Sequence, residues 1–168
     1  MARKVATVAD EMAITLRRTS RSIFVKEAAD FGVGVADLKG QMFAWPSATP
    51  GTMSMDQPLW GTIQAVPKVE PGDVIITNDP YTSEALSTHL PDIHLIRPYF
   101  HGKRIVAYGW CFVHSTDMGG AVPSSIAPSL SEIFQEGLRI PPMKLVKRGK
   151  MNDDLLGIMM ANIREPEV

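Results

Sequence analysis

The fold turns on the stretch Gly72–Gly120, GDVIITNDPYTSEALSTHLPDIHLIRPYFHGKRIVAYGWCFVHSTDMGG, which also carries all four histidines of the chain. Two alternating runs within it, Ile93 to Phe100 and Ile105 to His114, flank His101-Gly102-Lys103-Arg104. This is hairpin spacing, with a glycine where a tight turn needs positive φ. If the turn is the three-residue loop Gly102-Lys103-Arg104, His101 pairs with Ile105, and Asp92 then falls opposite His114 on one face of an antiparallel ribbon. Other turn lengths move that pairing by one or two positions. His89 stands three residues before Asp92, at the mouth of the same ribbon. Two imidazoles and a carboxylate at one place suit a divalent metal such as zinc.

Outward from the ribbon, alternation puts Asp92 and His94 on one face and Ile93 and Leu95 on the other, while Tyr108, Trp110, Phe112 and His114 alternate against Ala107, Cys111 and Val113. One face is therefore aromatic and polar. It reads equally as a packed aromatic layer whose histidine is satisfied by backbone bonds. His101 belongs to the turn and His94 lies farther down the strand, so both are poorer ligands. Asp117, in HSTDMGG, suits a ligand, an acceptor for an imidazole N–H, a general base, or a loop carboxylate bonded to glycine backbone. Cys111 sits on the opposite face from His114 and reads as a small buried hydrophobe rather than a nucleophile.

Before this stretch, Val5, Val8, Met12, Ala13 and Leu16 recur at helical spacing between Lys4 and Ser22, with Arg17, Arg18 and Arg21 late, where they suit the helix dipole. FGVGVAD (Phe31 to Asp37) and Gln41 to Trp45, joined by Leu38-Lys39-Gly40, read as a second hairpin, weakened by Gly32 and Gly34. Trp45 to Gly61 reads as a long loop packed on the body. A short helix follows from Leu59 to Val66, ended by Pro67 and Pro71. Val74 to Thr77 is a β-branched strand, and Asn78-Asp79-Pro80 reads as a turn.

Beyond the ribbon, Ser115 to Ser131 is a Ser/Pro/Gly-rich surface loop able to line a site. Glu132 to Leu138 allows one or two helical turns, and Gly137 with Pro141-Pro142 forces an extended crossing. Glu132, Glu136 and Arg139 read equally as a solvated helix end or as substrate contacts. Asn152 to Ile163 closes as a helix with Leu155, Leu156, Met159, Met160 and Ile163 on one face and Asn152 or Asp153 as its cap.

The chain has 168 residues, 45% of them hydrophobic, and a formal net charge of −1, which describes a single α+β domain with a real core. Antiparallel ribbons or a sheet would be flanked by an N-terminal and a C-terminal helix. Interspersed charges leave no field for a nucleic-acid backbone. A single cysteine and the absence of a secretory signal favour a reducing cytoplasm. No apolar run approaches the about 20 residues that span a bilayer, so the expected protein is soluble. Neither GxxxxGK[ST] nor a GxGxxG after a strand occurs, so the chain shows no nucleotide site of its own.

GDVIITNDPY, THLPD, HSTDMGG, EIFQEGLRIPP and NDDLLGIMMANIREPE, together with the earlier DEMAITLRRTSRSIFVKEAADFGVGVAD, resemble in order the hydantoinase B family. That family includes N-methylhydantoinase, 5-oxoprolinase and caprolactamase subunits, and acetone and acetophenone carboxylases are its relatives. The resemblance runs over nearly the whole chain and implies that residues 1–168 are the N-terminal third of such a subunit, as a fragment or a split subunit. It implies metal ligation by His89, Asp92, His114 and, in EAADFG, Asp30. The metal would be zinc, with manganese as the alternative.

It also implies a hetero-oligomer with a hydantoinase A type subunit of actin-like fold. That partner, or a fused A region, with ATP and magnesium, phosphorylates the amide oxygen of a small-molecule lactam or imide, and the B region hydrolyses the activated ring. In this reading Asp117 or a nearby carboxylate takes the proton from metal-bound water. The alternatives are a subunit of an acetone or acetophenone type carboxylase and an inactive truncated piece acting as an interaction module.

Overall fold

The ribbon is the centre of the molecule. The computed structural model describes residues 2–47 and 58–166, with elements α1 (Ala2–Thr19), α2 (Ile23–Lys26), β1 (Phe31–Ala36), β2 (Met42–Ala44), α3 (Trp60–Ala65), β3 (Val74–Thr77), β4 (Asp92–His101), β5 (Arg104–His114), β6 (Met143–Lys147), β7 (Lys150–Met151) and α4 (Asp153–Asn162). β4 and β5 pair antiparallel with Asp92 opposite His114, as the hairpin reading requires. The turn itself is shorter than expected. His101 pairs with Arg104 across Gly102-Lys103, and Gly102 takes φ of 60°. A bulge then restores the register, because Phe100 faces Ile105 while Tyr99 faces Ala107, leaving Val106 as the extra residue.

Strands on both sides of the ribbon complete one antiparallel sheet in the order β2-β1-β5-β4-β3-β6-β7, so the fold is α+β. One sheet face is covered by α1 and α4. Ala13, Val25, Phe31 and Val33 form one cluster there, and Ile76, Ile93, Met118, Ile140 and Leu155 form another. On the opposite face Trp110, Phe112, Tyr108, Ile96 and Ile75 pack with Leu59 and Ile63 from around α3 and with Leu86. Burial of each such side chain contributes about 1.5–3 kcal/mol.

The two glycines of β1 explain themselves on that face. Gly32 pairs with Phe112 and Gly34 with Trp110. A Cβ on Gly32 would lie 2.7 Å from Phe112 Cε1 and 2.9 Å from Trp110 Cη2, so its missing side chain makes room for the rings, while a Cβ on Gly34 would crowd the Ala44 carbonyl at 3.0 Å and Met42 Sδ at 3.1 Å.

Several sequence expectations shift. The first helix ends at Thr19, and 23–26 form a separate turn. Residues 132–138 contain only a 3-10 turn, Ile133–Gln135. The extended crossing after Pro141-Pro142 is strand β6, which pairs with β3, and β7 then folds back on it. Met118 is 2% exposed within a core cluster, so the 115–131 segment is partly core rather than only a surface loop. The helix 153–162 is capped by Asn152, whose side chain accepts from Leu155 N–H. The loop expected over 45–61 lies mostly outside the described residues. No helix among the described residues is long and apolar enough to cross a membrane.

Candidate metal centre

Strand pairing assembles the site. Asp92 opens β4, His114 closes β5, and Asp30 immediately precedes β1, whose first residue pairs with Val113. The Asp30 carbonyl accepts from His114 N–H at 3.1 Å, and the Ser22 hydroxyl donates to the His114 carbonyl at 2.9 Å. His89 turns back onto the strand it precedes, with Asp92 N–H donating to its carbonyl at 3.2 Å. Its Nε2 lies 3.0 Å from Asp92 Oδ1. His114 Nδ1 lies 3.2 Å from the same oxygen and 3.4 Å from Asp30 Oδ2.

One potential ligand atom from each of His89, Asp92 and His114 falls within 4.8 Å of the others. The imidazole centroids of His89 and His114 are 5.0 Å apart. Phe24 meets the His114 ring edge-on, with centroids 4.5 Å apart. His114 is 2% exposed, and its Nε2 has no hydrogen-bond partner.

Electrostatics fit a cation here. Burial pushes the Asp92 carboxyl up, but hydrogen bonds from His114 and His89 and their charges outweigh it and hold the group at about 2. The hydrogen bond to Asp92 raises His89, against the opposing effect of its burial, and the charges of Asp92, Glu136 and Asp30 add to the rise. Two imidazoles facing an ionised carboxylate, with a second carboxylate in reach, form a donor set for a divalent metal.

Asp30, a ligand by resemblance alone in the sequence, is thus brought to the group. Asp117 is not: its two oxygens are bound by the N–H and guanidinium of Arg164. His94 faces into the core, where its Nδ1 accepts from Trp110 Nε1 at 3.2 Å and its ring stacks on Phe112 at 5.2 Å. Burial pushes His94 down to about 4. His101 is exposed beside the turn, and burial pushes the Cys111 thiol up to about 11, as a hydrophobe's role requires.

Asn78 does more than make a turn. Buried completely, it donates to the carbonyls of Leu90 (2.7 Å) and Leu138 (2.9 Å) and accepts from Ile140 N–H (2.6 Å). Asp79 keeps the local role, accepting from Tyr81 N–H and Thr82 Oγ1.

The model of the hydantoinase B/oxoprolinase family matches residues 1–168, and the chain belongs to that family. It is similar to an uncharacterized protein of Methanocaldococcus jannaschii (38% identical, over 95% of this chain and 29% of that protein). It is also similar to the beta subunit of caprolactamase from Pseudomonas jessenii (32%; 94% and 27%) and to 5-oxoprolinase of Saccharomyces cerevisiae (36%; 89% and 12%). The chain thus spans between 12 and 29% of the length of these relatives.

Among solved structures, the ATP-dependent caprolactamase of P. jessenii superposes with a TM-score of 0.80 at 31% identity, over 97% of this chain and 28% of that one. A nucleotide-free acetone carboxylase superposes at 0.79 with 18% identity, over 96% and 22%, and shares the fold.

Proposed function

We propose that the chain is the metal-holding part of a B-type subunit in an ATP-dependent enzyme that opens cyclic amides such as hydantoin, 5-oxoproline or a lactam. The observation that carries this reading is the convergence of His89, Asp92 and His114 at one end of the sheet, with Asp30 3.4 Å from His114. These four residues would hold a divalent metal, zinc first and manganese as the alternative. When bound, such a metal polarises an oxygen of the substrate and makes water a nucleophile near neutral pH.

The chain's own groups prepare the place. Asp92 stays ionised through neutral pH and fixes both imidazoles. His114 is held from behind by Phe24 and at its backbone by Ser22 and Asp30. His89, with 29% of its side chain exposed, stands at the rim where a substrate would arrive. Asp117 is engaged by Arg164, so we assign it to tying the 117–120 segment to the end of α4 and not to proton transfer.

In this reading activation of the amide falls to an A-type region, on a partner subunit or fused to the same protein. Its relatives include the caprolactamase beta subunit and a putative D-/L-hydantoinase B subunit, names that speak of multi-subunit enzymes. An A-type ATP-binding protein is the expected partner, in the cytoplasm. The fold shared with acetone carboxylase supports a second reading, carboxylation of an activated ketone.

Phosphate release and ring opening, measured separately, test the first reading. The chain alone should be silent toward hydantoin or 5-oxoproline with ATP and magnesium, and the assembled enzyme should open the ring. His114→Ala in that assembly should abolish ring opening. Ring opening by the isolated chain without ATP would overturn the division of labour.

A further inference from the structure

Glu136 has no place in the donor set, yet it reaches the loop that carries two of the donors. Its Oε2 accepts from the N–H of Leu90 at 2.8 Å. Leu90 is buried and sits between His89 and Pro91, so fixing its peptide fixes the path of the His89-to-Asp92 loop. The other side of the same residue is fixed too, since the Leu90 carbonyl accepts from Asn78.

The turn that carries Glu136 is itself held by hydrogen bonds. Gln135 Oε1 accepts from the N–H groups of Ser131 and Glu132 at 2.7 and 3.0 Å, and the Gln135 N–H donates back to the Glu132 carbonyl at 3.0 Å. Its backbone is laced to the segment that follows His114. Ala121 N–H donates to the Gln135 carbonyl at 2.7 Å, and Leu138 N–H to the Met118 carbonyl at 2.8 Å. Gly119 bridges Gly137, whose φ of 118° and contact with the Met118 carbonyl leave no room for a Cβ. Glu136 therefore joins the loop holding His89 and Asp92 to the loop leaving His114.

A neutral amide would serve to hold the backbone alone, as Asn78 does by donating to the Leu90 carbonyl on the other side. The chain instead holds a partly buried carboxylate there, and desolvating a charge has a cost that an amide avoids. We propose that Glu136 is a positioning residue of the metal centre: its carboxylate fixes His89 against Asp92 through Leu90, and its charge favours a cation at the group. This rests on the metal reading above.

The test uses the full 168-residue chain with zinc, competed by a chromophoric chelator, and with cobalt(II), followed by its ligand-field absorption. Glu136→Ala removes both acceptor and charge; it should weaken zinc binding by about 10- to 100-fold and alter the cobalt bands. Glu136→Gln can still offer an oxygen to Leu90. It should keep the cobalt bands of the unaltered chain while binding zinc more weakly than that chain and more tightly than the alanine variant. If Glu136→Ala fails to fold, the glutamine variant decides, because unchanged zinc affinity there refutes the role of the charge. Unchanged affinity and unchanged bands in a folded Glu136→Ala overturn the proposal while leaving the metal centre standing. Failure of the unaltered chain to bind either ion overturns both.

Discussion

Two histidines on the same face of the ribbon, His94 and His114, are almost equally buried, at 1% and 2% exposure, yet they live in different chemistry. His94 lies in the interior of the sheet and meets rings: the Trp110 indole donates to it and Phe112 stacks on it. His114 lies at the strand end and meets carboxylates, Asp92 across the ribbon and Asp30, the residue just before β1. Burial does not separate a core histidine from a ligand. What separates them is position along the strand, because only at the end do incoming loops deliver charged partners.

The comparison breaks first on metal-linked stability. With zinc at 100 times its dissociation constant, the unaltered chain should gain about 2.7 kcal/mol against urea. His94→Phe should gain as much, and His114→Ala should gain nothing. A zinc-dependent gain retained by His114→Ala, or lost by His94→Phe, would erase the distinction between the two sites.

Without metal, the ranking reverses at the interior. His94→Phe leaves the buried Trp110 N–H without an acceptor, and urea unfolding should show a loss of about 1–3 kcal/mol. Gly32→Ala presses a methyl group into the Phe112 and Trp110 rings, and the same measurement should show a loss of about 1–3 kcal/mol with zinc affinity unchanged. An unaffected midpoint for Gly32→Ala would mean that the aromatic layer is loose.

A smaller effect comes from a carboxylate far from the site. Burial raises the pKa of Asp73, but its ion pair with Lys144 at 2.7 Å and the N–H groups of Arg148 and Glu70 lower it further, for a net fall. A depressed folded value adds stability that is fully present above the unfolded pKa of about 3.9 and is lost as pH falls through the folded value. Unfolding followed from pH 5 downward, about one unit above that value, should therefore show a shallower acid limb in Asp73→Asn than in the unaltered chain. An identical acid limb would assign the depression elsewhere.

Much of this was legible in the sequence where contacts are local or set by period. Alternation and the His101–Arg104 turn place Asp92 opposite His114, even though the turn is one residue shorter than expected and the Val106 bulge makes up the difference. Val74–Thr77 and the Asn152 cap follow from β-branched residues and capping chemistry. Asp30 is different. Its place beside His114 depends on β1 joining β5, a pairing across nearly 80 residues that no local pattern encodes, and only the family resemblance pointed to it. β6 and β7 were missed for the same reason, since Met143–Lys147 becomes a strand by pairing with β3. Glu136 carried no signal of its own, because a solvated helix end and a carboxylate reaching Leu90 look alike in sequence.

Equilibrium binding of zinc to the full chain, with stoichiometry from competition and elemental analysis, tests the central claim most directly. One ion per chain, lost in Asp92→Asn, is the expected result. No stoichiometric binding by the unaltered chain, or binding that Asp92→Asn leaves intact, would contradict it.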